Sequence, residues 1–222
     1  MLTPRKRITK KQLKEDKFIT YSVKARDWVE ENSKFVFGGL VAVVVIVAAL
    51  FIFMNSRKSA EAQASVDLAS AMRVYESKDY SNSVTLLTNI VNAGGGTKSG
   101  KLARFYLAQS LYNTQEYAAA QEHFRKFASS FRGDNYLRTA ALAGEAACLE
   151  QQDQFSQAAA KFAGIAKKYP DGPFVARYLL RAARCYTKAG NSEQAKLIYQ
   201  QIIDEYPDSQ EKNDAVLFSS LE

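Results

Sequence analysis

Hydrophobic residues form one unbroken run near the start of the chain. Residues 35–54 read FVFGGLVAVVVIVAALFIFM, twenty residues without a charged side chain. At about 1.5 Å per residue, a helix of this length spans roughly 30 Å, the thickness of the hydrocarbon core of a bilayer. A helix in the core of a water-soluble protein would keep polar residues on one side. The run therefore predicts a transmembrane helix over 35–54.

The rest of the chain mixes apolar and polar residues with a helical period, and the pattern repeats. Four segments begin at residues 78, 115, 153 and 190, at nearly constant spacing. Each contains a small residue followed four positions later by a large apolar one, and another small residue lies upstream. These positions are Ala71, Ser83 and Leu87; Ala108, Ala120 and Phe124; Ala146, Ala158 and Phe162; and Ala183, Ala195 and Tyr199. The pattern predicts about four helix hairpins over 64–209 that stack into an all-α solenoid.

Two shorter segments border the solenoid. We assign residues 55–63 to a linker between the membrane helix and the first hairpin. Residues 213–222 read NDAVLFSSLE. This pattern predicts an amphipathic helix within 210–222 that caps the open end of the solenoid.

The net charge of +7 is concentrated in residues 1–34, which contain ten Lys or Arg and five Asp or Glu. Beyond the apolar run, residues 55–222 contain twenty Lys or Arg and eighteen Asp or Glu, so their net charge is close to zero. Because the basic flank of a membrane helix stays in the cytoplasm, we predict that 1–34 form a basic cytoplasmic tail and that 55–222 cross the membrane. Residues 9–34 fit either a helix against anionic headgroups or a solvated segment. Since the tail accounts for the basic charge, nucleic acid is not a predicted partner.

A cleaved signal peptide is the alternative to a membrane anchor. Signal peptides have an apolar core of about 7–15 residues behind a short basic segment. Here the apolar run has twenty residues, and it begins only at Phe35, behind a long basic segment. An uncleaved anchor is therefore favoured.

The segment AGGGTKSGKL at 93–102 has the glycine and lysine spacing of a phosphate-binding loop. Leu102 stands where such a loop needs a hydroxyl group for Mg²⁺, and the preceding residues predict a helix where the loop requires a strand. We interpret 93–102 as a flexible loop between the first two hairpins and predict no nucleotide binding.

Few residues offer catalytic or metal-binding chemistry. His123 is the single histidine, and one histidine makes neither a multi-histidine metal site nor, by itself, a catalytic triad. Cys148 and Cys185 stand at the same position of adjacent hairpins. This placement favours two buried thiols over a disulfide. We predict no enzymatic activity, no metal and no cofactor.

The repeat resembles the tetratricopeptide repeat (TPR), whose signature extends over about 34 residues. The fourth unit carries the most signature positions, which are Ala183, Tyr186, Gly190, Ala195, Tyr199 and Pro207. The resemblance implies a concave groove, lined by the first helix of each hairpin, that binds segments of other proteins. The groove residues that it implies are Met72, Tyr75, Phe105, Gln109, Tyr112, Asn113, Arg184 and Lys188.

Residues 6–17, KRITKKQLKEDK, together with one membrane helix and a repeat domain beyond it, resemble a bacterial family of ancillary subunits of the SecYEG translocon. The resemblance implies an inner-membrane anchor with a cytoplasmic N terminus, and a periplasmic repeat domain that contacts the translocon and periplasmic chaperones. One alternative is a scaffold for another envelope complex, such as those of division or outer-membrane assembly. The other is a hydrolase or transferase that uses the repeats as a frame.

Overall fold

The computed structural model describes residues 10–221 and the side chains of 17–221. All regular secondary structure in this range is α-helical, as predicted, and residues 1–9 of the predicted tail lie outside it. The helices are α1 (Lys10–Glu31), α2 (Ser33–Glu76), α3 (Tyr80–Gly94), α4 (Lys98–Asn113), α5 (Tyr117–Ser130), α6 (Asn135–Gln151), α7 (Phe155–Lys168), α8 (Val175–Lys188), α9 (Ser192–Glu205) and α10 (Glu211–Ser219). The chain divides into two compact units, one up to Ser56 and one from Arg57 onward.

The first unit contains α1 and the N-terminal part of α2. Helix α2 is long and apolar enough to cross a membrane. The side chains of its apolar run are exposed, with exposed fractions of 71% for Phe37, 60% for Val45 and 72% for Phe51. A helix that is apolar on all sides requires an apolar environment all round.

Helix α1 also exposes apolar side chains, among them Phe18, Tyr21 and Trp28. At about 100° per residue, Ile19 and Val23 lie on other sides of the helix than Phe18. The helix therefore lacks the single apolar face that binding along a headgroup layer requires. Both predictions for residues 9–34, a helix against headgroups and a solvated segment, stay predictions.

The second unit is a series of helix hairpins: the C-terminal part of α2 with α3, then α4 with α5, α6 with α7, and α8 with α9. The twelve positions that define the repeat in the sequence are all buried, with exposed fractions of 3% or less. Small residues at eight of these positions bring the helices close together, and the large apolar residue of each hairpin fills the space beside them. The predicted solenoid of four hairpins is confirmed.

The turn inside each hairpin has the same backbone conformation in all four repeats. Its central residue has a positive φ: 62° at Lys78, 66° at Gln115, 57° at Asp153 and 76° at Gly190. The N–H of the next residue donates to a carbonyl five residues earlier, at 2.8–3.3 Å, which is the geometry of a left-handed helix C-cap. These bonds join Asp79 to Val74, Glu116 to Leu111, Gln154 to Leu149 and Asn191 to Tyr186.

The glycine-rich segment 93–102 differs from its prediction as a flexible loop. Only three residues separate α3 from α4, and the hydroxyl of Thr97 caps α4 by accepting a hydrogen bond from the N–H of Gly100 at 3.0 Å. A Cβ atom at Gly100 would lie 1.9 Å from the carbonyl oxygen of Gly94. The segment connects the first two hairpins, as predicted, but residues 93–94 and 98–102 are helical. The connection is this short because the two glycines allow backbone contact between the two helices. The element before the glycines is helix α3, as predicted.

Residues 55–63, assigned to a linker, are helical, and they lie within α2. The Glu61 carboxylate accepts hydrogen bonds from the hydroxyl of Ser99 at 2.8 Å and from its N–H at 3.2 Å, at the start of α4. Burial alone would raise the pKa of Glu61, but the hydrogen bonds from residues 97–99 outweigh it and lower the pKa. The contacts of the first repeat therefore extend back to Glu61.

Helix α10 packs against α8 and α9, where the sequence predicts a capping helix. Ala215 is fully buried, and the ring of Phe218 stacks on Tyr199 with ring centroids 6.0 Å apart. Val216 and Leu217 remain exposed on the same helix.

Candidate functional site

A cleft with a volume of about 300 Å³ lies on the side of the solenoid formed by the first helix of each hairpin. Helices α2, α4, α6 and α8 all contribute to its lining, with one further residue from α5. The lining residues are Tyr75, Gln109, Tyr112, Asn113, Phe124, Gly144, Ala147 and Arg181. The cleft therefore depends on the stacking of all four repeats.

Two tyrosines provide the aromatic part of the lining. The Tyr75 hydroxyl donates to the Gln109 side-chain oxygen, and its ring packs edge-on against Tyr106 with centroids 5.3 Å apart. The ring of Tyr112 packs in the same way against Tyr117 at 5.4 Å. Burial raises the pKa of both Tyr75 and Tyr112. Both hydroxyl groups therefore stay protonated at neutral pH.

Two amide side chains lie beside the tyrosines. The Asn113 amide nitrogen donates to the main-chain carbonyl of Gln109 at 2.7 Å. Asn113 is exposed and Gln109 half-buried. An amide offers both a donor and an acceptor, which is the pairing that a peptide backbone requires.

The floor of the cleft is open at Gly144, because glycine has no side chain. Gly144 occupies the position that Tyr106 fills in the preceding repeat and Arg181 in the following one. A Cβ atom at Gly144 would lie 2.6 Å from the ring of Phe124. The glycine therefore lets the phenylalanine ring lie directly over α6 and leaves the space beside it open.

Arg181 is the charged residue of the lining. Its guanidinium group donates to the Glu150 carboxylate at 2.7 Å and lies over the ring of Phe162, 4.4 Å from the centroid. Burial alone would raise the pKa of Glu150, but the hydrogen bond from Arg181 and the charges of Arg181 and Lys188 outweigh it and lower the pKa. The carboxylate is therefore ionised and fixes the position of Arg181.

Four of the eight predicted groove residues meet in the cleft: Tyr75, Gln109, Tyr112 and Asn113. The other four lie elsewhere. Phe105 is 4% exposed and packs in the core among Tyr106, Phe124 and Phe127. Met72 is half-buried and does not line the cleft.

The two predicted basic groove residues lie further along α8. Arg184 lies over the ring of Phe218, 5.5 Å from the centroid. Lys188 pairs with Glu150 at 3.4 Å. Sequence reasoning missed Arg181, Gly144 and Phe124 as lining residues. The signal for Arg181 is its spacing of three residues from Arg184, which places both on one side of the helix.

The histidine and the cysteines do not join this site. His123 on α5 is half-buried, and burial lowers its pKa, with smaller contributions from the charges of Arg104 and Lys126. Burial raises the pKa of Cys148 to about 12 and that of Cys185 to about 11. Both cysteines are buried free thiols, and such protonated thiols are unreactive. Within the described residues, no group of three His, Cys, Asp or Glu is placed to hold a metal ion.

Comparison with known proteins gives a family match over most of the chain. The family model described as a tetratricopeptide repeat-like domain matches residues 26–217. No curated protein sequence matches the chain.

Three of the solved structures that match the chain are structures of repeat proteins. One contains the TPR-like repeats of a putative kinesin light chain from Podosopora anserina, with a TM-score of 0.56 and 15% identity over 70% of this chain and 82% of that chain. A variant of the same protein gives the same values. YrrB, described as a TPR protein with an unusual peptide-binding site, has a TM-score of 0.32 and 15% identity over 67% of this chain and 89% of that chain. At this identity the kinesin light chain repeats show similarity of fold alone.

Proposed function

Because the chain belongs to the family of tetratricopeptide repeat-like domains, we propose that it is a protein-interaction scaffold whose cleft binds a polypeptide segment of a partner. The observation that carries the proposal is the convergence of four successive first helices on one cleft. Stacked repeats use such surfaces for extended ligands.

The chemistry of the lining supports a peptide ligand. Tyr75 and Tyr112 offer aromatic surface with protonated hydroxyl groups, and Gln109 and Asn113 offer amide donors and acceptors. Aromatic residues with a few well-placed polar groups are typical of protein recognition sites. A volume of about 300 Å³ suits one or two side chains of a peptide, since it lies at the lower end of ligand-site volumes.

We further propose that residues 35–54 anchor the scaffold in a membrane. Their exposed apolar side chains require an apolar environment, and the family match at 26–217 includes this run together with the repeats. The basic residues before the run favour a cytoplasmic N terminus. The repeat domain would then lie on the periplasmic side of a bacterial inner membrane.

The proposed partners are the SecYEG translocon and periplasmic chaperones. This part of the proposal rests on the resemblance of residues 6–17 and of the overall architecture to the ancillary translocon subunits. Another cell-envelope complex is the alternative partner.

The test is native purification of the full-length protein from membranes in mild detergent, followed by mass spectrometry of the proteins that co-purify. A Tyr112→Ala variant removes the central ring of the cleft. Tyr136→Ala is the matched control, because Tyr136 is 48% exposed outside the cleft. We expect partners that bind the wild-type protein and Tyr136→Ala and are lost from Tyr112→Ala.

The identity of those partners decides between the two complexes. Translocon subunits and chaperones would support the translocon assignment. A different envelope complex would support the scaffold and contradict that assignment. Partners that bind Tyr112→Ala as well as the wild type would contradict the role of the cleft.

A further inference from the structure

Helix α8 carries four basic residues on one side and no acidic residue. Arg177, Arg181, Arg184 and Lys188 follow the spacing i, i+4, i+7 and i+11. At about 100° per residue, these side chains fall within roughly 60° of each other, and they extend along roughly 16 Å of helix. We call these four residues the α8 basic stripe.

Nearby carboxylates neutralise only part of this stripe. Glu150 pairs with both Arg181, at 2.7 Å, and Lys188, at 3.4 Å. Glu211 of α10 pairs with Arg177 at 3.2 Å. Four cations therefore share two carboxylates, and the stripe retains an excess of two positive charges.

Arg184 is the member of the stripe whose charge is least compensated. Among the residues that the structure describes, its contact is the ring of Phe218, and no carboxylate pairs with it. An aromatic ring attracts a cation but leaves its net charge in place. The guanidinium group keeps its capacity to bind an incoming carboxylate in a bidentate manner.

The stripe continues the cleft. Arg181 belongs to both, since it lines the cleft beside Tyr112 and Ala147. A segment that occupies the cleft and continues along α8 meets Arg184 and Lys188 next. Because the first helices of stacked repeats line the concave side of a solenoid, an extended polypeptide fits this path and a flat bilayer does not.

We propose that the α8 basic stripe binds an acidic stretch of the partner polypeptide, with at least two Asp or Glu side chains next to the part that enters the cleft. This inference rests on the proposed function, because it assigns a chemical class to the ligand of the same surface. The recognition uses side-chain carboxylates and needs no free C terminus.

The test measures peptide binding to the full-length protein in nanodiscs of phosphatidylcholine, by fluorescence anisotropy. The probe is a labelled peptide of alternating Glu and Tyr with both ends blocked, and its counterpart has Gln in place of every Glu. We expect the Glu peptide to bind between about twofold and thirtyfold more tightly, because each exposed ion pair contributes up to a factor of about five. The preference should shrink at high salt.

Arg184→Gln tests the site on the protein, and Lys196→Gln on α9 is the matched control. Lys196 is exposed and lies outside the stripe. We expect Arg184→Gln to weaken binding of the Glu peptide by up to about fivefold and to leave binding of the Gln peptide unchanged. Lys196→Gln should change the binding of neither peptide. Thermal melting of each variant verifies that the repeats remain folded.

Equal binding of the two peptides, or an equal loss in Lys196→Gln, would overturn the inference. Binding of anionic lipid vesicles that depends on Arg184, with no binding of either peptide, would also overturn the inference. If the acidic preference is absent while co-purification still depends on Tyr112, the inference fails and the proposed function stands. If the acidic peptide binds through Arg184 but no partner depends on Tyr112, the role proposed for the cleft fails instead.

Discussion

The apolar run of α2 and the repeat core contain the same kinds of side chain in opposite surroundings. Val45 and Phe51 of the run are 60% and 72% exposed, whereas Phe127 and Phe162 of the repeats are 0% exposed. In the repeats, each helix has a polar side and buries its apolar side against neighbouring helices. In the run, every side is apolar, so no arrangement of a single helix can hide it from water. The difference shows that protein covers one set of apolar residues and leaves the other exposed, which is the arrangement that the proposed membrane anchor requires.

The largest expected effect comes from a cavity in the repeat core. Phe127→Ala should destabilise the second unit by roughly 3–5 kcal/mol, because the ring is fully buried and its loss leaves a cavity. Thermal denaturation followed by circular dichroism would show the change, with Phe51→Ala in the run as the control. If Phe51→Ala lowered the melting temperature as much, the two environments would not differ as described.

A charged residue in the middle of the apolar run tests whether the run spans a membrane. Val45→Lys should weaken membrane insertion by about 2.5–3.5 kcal/mol, the cost of a lysine at the centre of a membrane helix. Membrane flotation after alkaline extraction measures the effect. The control is Val66→Lys, in the same helix but in the second unit, where Val66 is 65% exposed. Equal loss of membrane binding in both variants would contradict the assignment of the span.

Glycine-to-alanine substitutions compare the packing around one glycine of the repeats with that around one glycine of the apolar run. A Cβ atom at Gly144 meets the Phe124 ring at 2.6 Å, whereas one at Gly39 meets nothing within 4 Å. Gly144→Ala should therefore destabilise the repeats by about 1–3 kcal/mol through overpacking. Gly39→Ala should leave their unfolding unchanged. Chemical denaturation of the two variants tests this, and an unchanged midpoint for Gly144→Ala would mean that the Phe124 ring moves away without cost.

The smallest effects are expected in the hairpin turns. Gly190 has a φ of 76°, and Gln115 holds the equivalent conformation at 66°. Gly190→Ala should cost about 1 kcal/mol, because a Cβ atom disfavours this conformation. Gln115→Gly should change stability by less than about 1 kcal/mol, since relief of strain opposes the greater freedom of glycine in the unfolded chain. Denaturant midpoints measure both changes, and equal effects of the same sign would contradict the shared turn conformation.

The repeat architecture could be predicted from sequence because its signal is periodic. Ala71, Ala108, Ala146 and Ala183 recur at nearly constant spacing, and burial at those positions follows from the period alone. The left-handed turns could be anticipated at Gly190 and, more weakly, at Asp153, because glycine and aspartate are enriched at positive φ. Lys78 and Gln115 are residue types that seldom adopt it.

The cleft could be predicted only in part, because its lining depends on contacts between repeats. Tyr75, Gln109 and Tyr112 follow from the register of the first helices. Phe105 shares that register but lies in the core, where it contacts the rings of neighbouring aromatic residues. The open space at Gly144 arises from an absent side chain.

Two further details depend on contacts that a repeat period does not encode. The Glu61 carboxylate reaches Ser99, which lies in the next repeat. Arg181 enters the cleft because its pairing with Glu150 fixes its guanidinium group there.

Site-specific photo-crosslinking in intact cells tests most directly whether the cleft binds partner proteins. A photoreactive amino acid replaces Tyr112 in the cleft or, in a second variant, Leu197, which is 66% exposed on α9. We expect discrete adducts with partner proteins from position 112 and none of the same mass from position 197. Adducts from position 197 alone, or identical adducts from both positions, would contradict the assignment of the cleft as the protein-binding surface.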